Sequence, residues 1–220
     1  MDNKKIQSKR MLSYFIESAE QIIEEEGIDK VTLRKVAKKA GYNTATLYNY
    51  FNSLEHLLFY ASMKYFKEYI LDIGNYIGNC ENKFEEFIGL WTCFFVHSFN
   101  KPQIFYNLLF SKYKDTFEKT LGEYYEIFPE ELSGFNNGYV DVFKTNTFGE
   151  RNKKYLIQFI ESGVLNIENV DKVNDIFNLY FQSYLYNNFI LKKDSNIEKC
   201  IIEVSETLLF LLKFNSKKKK

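Results

Sequence analysis

The segment from Thr32 to Phe51 places the strongest constraint on the fold of this chain, because it contains two short helical patterns joined by a glycine. Thr32 is a residue type that commonly caps a helix, and apolar residues follow at the spacing of one helix face: Leu33, Val36, Ala37 and Ala40. Gly41 comes next, where a left-handed residue ends many helices. Asn43 is a second candidate cap, and Leu47 lies one turn before Phe51 on the helix that would follow. Two short helices with such a turn indicate a helix-turn-helix motif.

The outward-facing residues of this segment are those expected of a DNA-binding surface. Between Lys30 and Leu54 the chain has no acidic residue and five basic ones, Lys30, Arg34, Lys35, Lys38 and Lys39. The second helix begins with short, uncharged side chains, which can reach base edges and phosphates in the major groove. The alternative interpretation is an ordinary helical hairpin with a solvated basic face, since lysine-rich helix faces are common.

The run from Ile16 to Leu58 resembles the N-terminal domain of TetR-type (tetracycline-repressor-like) bacterial transcriptional regulators. The resemblance is carried by many positions in fixed register: Ile16, Ala19, Gly27, Val31–Ala37, Ala40–Gly41, Thr46–Tyr48, Phe51 and Leu57–Leu58. These positions span about a fifth of the chain. A combination of this length is much more specific than any one of its short motifs.

The sequence departs from the family pattern in two places. Tyr42 and Asn43 stand where family members usually have a small aliphatic residue and a serine. Asn43 retains a capping side chain, so we expect the turn to survive. Leu54 stands where many members carry a lysine that contacts a DNA phosphate, so one expected phosphate contact is absent.

The resemblance implies a DNA-binding domain over residues 1–53, with the motif at about 32–51. We expect Arg34 to reach a phosphate or a guanine edge, and Asn49 to read an adenine through its amide. The start of the second helix is expected to meet the groove with Asn43, Thr44, Ala45 and Thr46. Tyr48 and Tyr50 are expected to contact phosphates through their hydroxyls.

The composition predicts an all-α protein. Of 220 residues, 45% are hydrophobic and 26% are charged, with only two prolines and ten glycines. We predict a three-helix N-terminal head whose first helix runs from about Lys9 to Glu26, after a frayed segment at residues 1–9. One long helix after Ser53 would join this head to a larger helical domain over residues 54–216. In that domain we predict, among others, a helix from Arg151 to Leu165 and either a helix over 135–145 or a turn at Asn136–Gly138. The net charge is zero, so acidic surface elsewhere must balance the basic head.

No catalytic, metal or cofactor site is predicted from the sequence. Gly-rich phosphate loops and a G-x-S-x-G run are absent, and Cys80, Cys93 and Cys200 lack the spacing of metal ligands. The odd number of cysteines, with no signal-like N terminus, favours the reducing cytoplasm. No apolar run is long enough to span a bilayer. We therefore expect a cytoplasmic protein that is not an enzyme.

The larger domain is rich in aromatic residues that could enclose an apolar or aromatic effector. The candidate lining residues are Trp91, Phe94, Phe95, His97, Tyr106, Phe110, Tyr139, Phe143, Tyr180 and Tyr184. A filled core is at least as good an interpretation for each of these aromatic residues, and for His97 a hydrogen-bonded core histidine is the better one. The last two predicted helices, near Val170 and Ile197, carry wide apolar stripes. Both helices could simply belong to the core, but the resemblance implies that they form a four-helix bundle between two subunits.

These observations predict a homodimeric, ligand-responsive transcriptional regulator. In its simplest form it is a repressor that binds a palindromic operator in double-stranded DNA and is released by a small effector. Two alternatives remain open. One is a helical small-molecule-binding protein that has lost specific DNA binding, as Leu54 suggests. The other is a small helical enzyme with a residual head domain, against which the missing catalytic set argues.

Overall fold

The computed structural model describes residues 3–132, 147–191 and 196–216, and its regular elements are helices, as predicted. The α-helices are α1 Asn3–Glu26, α2 Leu33–Lys39, α3 Thr44–Tyr48, α4 Leu54–Ala61, α5 Met63–Ile77, α6 Lys83–Asn100, α7 Pro102–Phe110, α8 Phe117–Ile127, α9 Phe148–Glu161, α10 Val170–Leu185 and α11 Ile197–Phe214. Short helical turns lie at Ile28–Lys30, Lys114–Thr116, Pro129–Leu132 and Tyr186–Leu191. The β pairing in these ranges is a single bridge between Ile167 and Ser216.

Helix α1 begins at Asn3, so the prediction that it starts near Lys9 after a frayed segment was wrong. The end of α8 stabilises the added turns of α1, because Glu126 attracts Lys5 as well as Lys9. The Lys9 ammonium lies 3.0 Å from a carboxylate oxygen of Glu126 and donates a hydrogen bond of 3.2 Å to its backbone carbonyl. Helix α1 therefore extends beyond the head and packs against α8 of the larger domain.

The head consists of α1 to α3 with α4 packed across α1. Its core is formed by apolar residues at the predicted helical spacing, all of them fully buried: Phe15, Ile16, Ala19, Val36, Leu47 and Phe51. Leu47 and Phe51, the two positions predicted to face inward from the second motif helix, lie against this core. Burial of these side chains fixes the face that α3 turns to solvent.

The predicted long helix after Ser53 is two helices, α4 and α5, which meet at Ser62. Ser62 is buried, with φ −73° and ψ −15°. Its hydroxyl donates a hydrogen bond of 2.6 Å to the Leu58 carbonyl, one turn back. Bonds of this kind compete with the helical pattern and often bend a helix. The connection between the head and the larger domain is therefore a bent pair of helices.

Helices α5 and α6 pack closely along their length and form the centre of the larger domain. Gly89 allows this approach, because a Cβ at this position would lie 2.6 Å from the backbone carbonyl oxygen of Tyr76. Helices α7, α9, α10 and α11 surround this pair. None of the helices in the described ranges has both the length and the apolar character needed to cross a membrane.

Helix α9 begins at Phe148, slightly before the predicted start at Arg151, because Thr147 and Glu150 form a reciprocal capping box. The helix predicted over residues 135–145 lies outside the described residues. The apolar stripes predicted for the last two helices are present in α10 and α11. One side of each stripe is buried, whereas Leu179 and Phe210 are among the residues on the other side that face solvent.

Candidate functional site

The turn between α2 and α3 is fixed by Gly41, which has a φ of +81°. Its N–H donates a hydrogen bond of 3.2 Å to the Lys38 carbonyl, and the N–H of Tyr42 donates one of 2.8 Å to the Ala37 carbonyl. These two bonds form a Schellman motif, the usual end of a helix with a left-handed glycine. The structure thus has the tight glycine turn that the sequence predicts.

Two polar side chains cap the helices of the motif. Thr32 accepts a hydrogen bond of 3.2 Å from the N–H of Lys35 at the start of α2. At the start of α3, the side-chain oxygen of Asn43 accepts hydrogen bonds from the N–H and the hydroxyl of Thr46, at 2.8 and 3.0 Å. The Asn43 oxygen is therefore used inside the protein, and its NH₂ group remains for an outside partner.

Helix α3 presents a small polar face to solvent. Ala45, Tyr48 and Asn49 are exposed, Tyr48 to 57%, and Thr44 is partly exposed. Tyr50, by contrast, is half-buried and its ring lies 5.9 Å from that of Phe15 in the head core. The DNA contacts expected of these residues remain predictions. Packing against Phe15 restricts the Tyr50 side chain more than the exposed side chains of Ala45, Tyr48 and Asn49.

The basic face of the motif is partly neutralised within the head. Lys35 lies 2.6 Å from a carboxylate oxygen of Glu26, and Lys39 lies 2.8 Å from one of Glu25. Both acidic residues come from the end of α1. Arg34 is exposed, and no ion pair involving it occurs among the described residues. The sequence pattern of five basic residues therefore overstates the number of free positive charges.

The departure at Tyr42 has a packing explanation. Its ring stacks on that of Tyr14 at 6.4 Å and meets the edge of Phe15 at 5.7 Å. Both partners lie on α1, so the large residue at this position contacts the first helix of the head rather than crowding the turn. The family's small aliphatic residue is thus replaced by a side chain with its own partners.

The start of α4 connects the head to the loop after α7. Ser53 caps α4 by accepting a hydrogen bond of 3.1 Å from the N–H of His56, and its hydroxyl lies 3.1 Å from that of Tyr113. The His56 ring stacks on the Tyr113 ring at 4.7 Å. Leu54, which replaces the family's phosphate-binding lysine, is the first residue of α4 and is half-buried. A movement of this loop would therefore displace the start of α4, which packs on the head.

The larger domain encloses a small cavity of about 20 Å³ between α5, α6, α7 and α9. The lining residues are Phe66, Tyr69, Leu90, Trp91, Phe94, Leu109, Phe148, Arg151, Asn152, Tyr155 and Phe159. A volume of this size holds about one water molecule. Of the predicted effector contacts, Trp91 and Phe94 lie on its wall.

Arg151 is the one basic residue on this wall, and it is only 3% exposed. Its guanidinium lies over the rings of Phe117 and Phe66, 4.2 and 5.4 Å from their centres. The Nη1 atom is buried and has no hydrogen-bond partner in the described part of the chain. Burial lowers the pKa of Arg151 to about 10, so the group is still charged at neutral pH.

Arg151 is absent from the site residues predicted from the sequence, although the pattern of α9 contains a signal for it. The inner face of α9 repeats at helical spacing, and every member is buried: Phe148, Arg151, Asn152, Tyr155, Leu156 and Phe159. Arg151 therefore occupies a position in an otherwise mainly apolar and aromatic stripe. Since arginine is rarely buried, a basic residue within such a stripe is a sequence signal for a buried charge.

Several predicted effector residues lie outside the cavity wall. Phe95 is buried beside it, with its ring 5.6 Å from that of Trp91. Tyr106 packs against Phe110, whose ring lies 5.7 Å from that of Phe148. Tyr139 and Phe143 lie outside the described residues.

Tyr180 and Tyr184 face α11 instead of the cavity. The Tyr184 hydroxyl donates a hydrogen bond of 2.6 Å to Glu203, and Thr207 donates one of 3.1 Å to the Tyr180 hydroxyl. In the sequence they share a stripe with Phe177 and Phe181, whose rings pack against Trp91 and Phe94, so the stripe alone did not separate the two groups. The two tyrosines thus tie the last two helices together.

A larger groove of about 280 Å³ lies on the outer side of the cavity. Phe110 contributes to it, together with residues of α9 and α10. Leu109 and Phe148 line both spaces and therefore separate them. The Phe148 ring stacks on that of Phe94 at 5.2 Å.

His97 forms a polar cluster with Asp72 and Cys93 beside the cavity. Its Nε2 lies 2.9 Å from a carboxylate oxygen of Asp72, and the potential ligand atoms of all three residues lie within 4.8 Å of one another. The trio would offer three of the four ligands that zinc usually takes. Cys93 and His97 are one helical turn apart, a spacing that is overlooked when cysteines are compared only with one another.

The comparisons with known proteins agree with this geometry. Residues 15–61 match the family described as bacterial regulatory proteins, tetR family. No curated protein sequence matches the chain. Among solved structures, RolR in complex with resorcinol is 18% identical, with 94% of this chain and 90% of that chain covered and a TM-score of 0.61.

Two further structures have similar folds. FadR of Thermus thermophilus, a TetR family transcriptional repressor in complex with lauroyl-CoA, is 13% identical, with 95% and 96% of the two chains covered and a TM-score of 0.56. A putative TetR-family regulator of Syntrophomonas wolfei is 17% identical, with 93% and 95% covered and a TM-score of 0.55.

This chain therefore has the fold of the TetR-type regulators, with a helix-turn-helix head and a larger helical domain. Its segment 15–61 matches the tetR family of bacterial regulatory proteins.

Proposed function

We propose that this protein is a homodimeric transcriptional repressor that binds a palindromic DNA operator and is released by a small-molecule effector. The observation that carries the proposal is the exposed face of α3. Ala45, Tyr48 and Asn49 face solvent on a helix whose other face is fixed by the buried Leu47 and Phe51. A rigid helix with a short polar surface fits the major groove.

The charge of the head supports binding to a polyanion. Arg34 is exposed on α2, the first helix of the motif, and is not held by an acidic residue in the described ranges, so it is available to a phosphate or guanine. The other contacts that we propose are Asn43, Thr44, Ala45, Thr46, Tyr48, Asn49 and Tyr50. One head can read only a few base pairs, and a twofold dimer on a palindrome supplies the remaining specificity.

The exposed apolar surface of α10 and α11 supports dimerisation. This surface, the dimer face, consists of Ile176, Leu179, Ile202, Leu209, Phe210 and Phe214. Phe210 and Phe214 are 65% and 78% exposed, which is unusual for phenylalanine in an isolated globular domain. A second copy packed against this face would bury these side chains in a four-helix arrangement.

The cavity in the larger domain supports the proposal that a small-molecule effector binds there. Two proteins of similar fold hold small organic molecules, resorcinol in RolR and lauroyl-CoA in FadR of Thermus thermophilus. In this chain Phe66 and Tyr69 of α5 lie on the cavity wall, and α5 continues into α4 across the bend at Ser62. A ligand that displaces α5 would change the tilt of α4 and hence the position of the head. It must bind one state better than the other to do so.

Selection of bound duplexes from a random DNA pool tests this function. The full chain should enrich a palindrome, and its affinity for the enriched duplex should fall as the salt concentration rises. A pool that shows no enrichment at either salt concentration would overturn the proposal for the ligand-free chain.

The second candidate is a helical small-molecule-binding protein that has lost specific DNA binding. Leu54 favours it, because the chain lacks a lysine at the position of a phosphate contact in the family. In that case the affinity for any duplex would be weak, independent of sequence and without a steep salt dependence. The same pool selection therefore distinguishes the two candidates.

A further inference from the structure

Arg151 places a positive charge among mainly aromatic and apolar side chains of the larger domain. Burying an ion is costly unless opposite charges or hydrogen bonds compensate it. The guanidinium has five N–H donors, yet Nη1 donates to no atom among the described residues. Glu150, the acidic residue next to it in sequence, points its carboxylate to the backbone N–H of Thr147 at the surface.

The surroundings of Arg151 compensate the charge only in part. The faces of Phe117 and Phe66 attract a cation, but a ring face does not satisfy N–H groups that point elsewhere. The Tyr69 and Tyr155 hydroxyls lie near the charge, and burial raises the pKa of both above the ordinary tyrosine value, so they remain neutral. Asn152 donates its own hydrogen bond, of 2.6 Å, to Asn178.

We propose that the effector carries a carboxylate, which Arg151 binds, on an apolar body that packs against the aromatic wall of the cavity. This inference rests on the proposed effector site and specifies the chemistry of its ligand. A carboxylate matches the planar fork of a guanidinium and can accept two parallel hydrogen bonds. Trp91, Phe94 and Phe159 would contact the apolar body.

Access to Arg151 requires a local rearrangement. A benzene-sized molecule needs a cavity of roughly 150 Å³, whereas the cavity measures about 20 Å³. The outer groove of about 280 Å³ lies directly behind Leu109 and Phe148. Rotation of the Phe148 ring away from Phe94 would connect the two spaces and bring the groove's occupant to the guanidinium. The closed cavity then represents the ligand-free state of the larger domain.

Thermal unfolding of the full chain with paired probes tests the proposal. The acids are benzoate, phenylacetate and octanoate, and each is compared with its neutral amide. We expect at least one acid to raise the melting temperature of the wild-type chain. That acid should bind roughly 10- to 100-fold more tightly than its amide, because only the acid forms charge-assisted hydrogen bonds with the guanidinium. The acid's advantage should vanish in Arg151→Met. It should persist in Arg10→Met, which removes an exposed arginine from α1.

Two results would overturn the proposal. One is that no acid stabilises the wild-type chain more than its amide does. The other is that Arg151→Met retains the preference for the acid.

The ligand-free variant provides an independent test. Because Nη1 has no hydrogen-bond partner among the described residues and the buried charge is compensated only in part, Arg151→Met should unfold at the same or a higher temperature than the wild-type chain. A clearly lower melting temperature would mean that Arg151 stabilises the fold and is not held for a ligand.

These measurements contain no DNA. Failure of the acid preference would therefore leave operator binding, and with it the proposed regulatory function, unaffected.

Discussion

The Tyr124 hydroxyl of α8 donates a hydrogen bond of 3.2 Å to the Glu20 carboxylate of α1, and so connects the larger domain to the first helix of the head. The same hydroxyl lies 3.2 Å from a carboxylate oxygen of Glu131. One hydroxyl has only one proton. If both carboxylates were ionised, the hydroxyl could donate a hydrogen bond to only one of them. Burial raises the pKa of Glu20 from about 4.5 to about 8, with Lys64 opposing and Glu131 adding to the shift.

The raised pKa of Glu20 predicts a pH-dependent stability. Between about pH 4.5 and 8 the folded state holds a proton that the unfolded chain releases, so the free energy of unfolding falls as pH rises through this range. Glu20→Gln keeps the acceptor and removes the buried charge. It should raise the free energy of unfolding at pH 8 by about 1–3 kcal/mol and flatten the pH slope, as measured by urea unfolding.

Tyr124→Phe is the matched control for this prediction. It removes the hydrogen bond and leaves the carboxyl group, so the pH slope should remain. Equal slopes in the wild-type chain and in Glu20→Gln would show that Glu20 is not the titrating group.

Asn49→Ala should weaken operator binding and relax the preference for one base pair in each half-site. A bidentate amide–adenine contact contributes about 1–3 kcal/mol of discrimination. Competition binding with single-base operator variants measures both effects. Asn79→Ala removes an exposed asparagine far along the chain, after α5, and should change neither. An unchanged preference profile in Asn49→Ala would exclude this residue from base reading.

Arg34→Ala should reduce the salt dependence of DNA binding more than Lys35→Ala does. Each lost phosphate contact reduces the slope of log K against log salt by about 0.9, and a dimer loses two. Lys35 is the neighbouring control, because its ammonium is already paired with Glu26 at 2.6 Å. Equal slopes for the two variants would contradict a special role for Arg34.

Phe210→Asp should dissociate the dimer without unfolding the chain. The substitution places a charge in the dimer face, where it would be buried without a partner in the dimer, while position 210 is 65% exposed in the single chain. Sedimentation velocity should give a monomer with an unchanged helical spectrum. Leu71→Asp, at an exposed position of α5, is the control and should remain dimeric. A dimeric Phe210→Asp would exclude this face.

The local features of the head could be predicted from the sequence because they are set by neighbours along the chain. Thr32, Gly41 and Asn43 act within four residues of their partners, and Leu47 and Phe51 follow the helical period. The bend at Ser62 escaped prediction, since a serine inside a helical pattern has no required effect. Its hydrogen bond to Leu58 competes with the regular helix only in this packing arrangement.

The site in the larger domain depends on contacts between distant residues and was predicted less well. Trp91 and Phe94 lie on the cavity wall, but an apolar stripe does not reveal which side of a helix meets which neighbour. Tyr180 and Tyr184 therefore face α11 and not the cavity. The charge of Lys39 was likewise counted as free, because its partner Glu25 is on another helix.

Titration of the enriched palindromic duplex with the full chain, followed by fluorescence anisotropy at several salt concentrations, decides whether this protein is a dimeric operator-binding regulator. We expect two chains per duplex, an affinity that falls steeply as salt increases, and much weaker binding to a scrambled duplex of the same composition. Equal affinity for the palindrome and the scrambled duplex, or one chain per duplex at saturation, would contradict the proposed function.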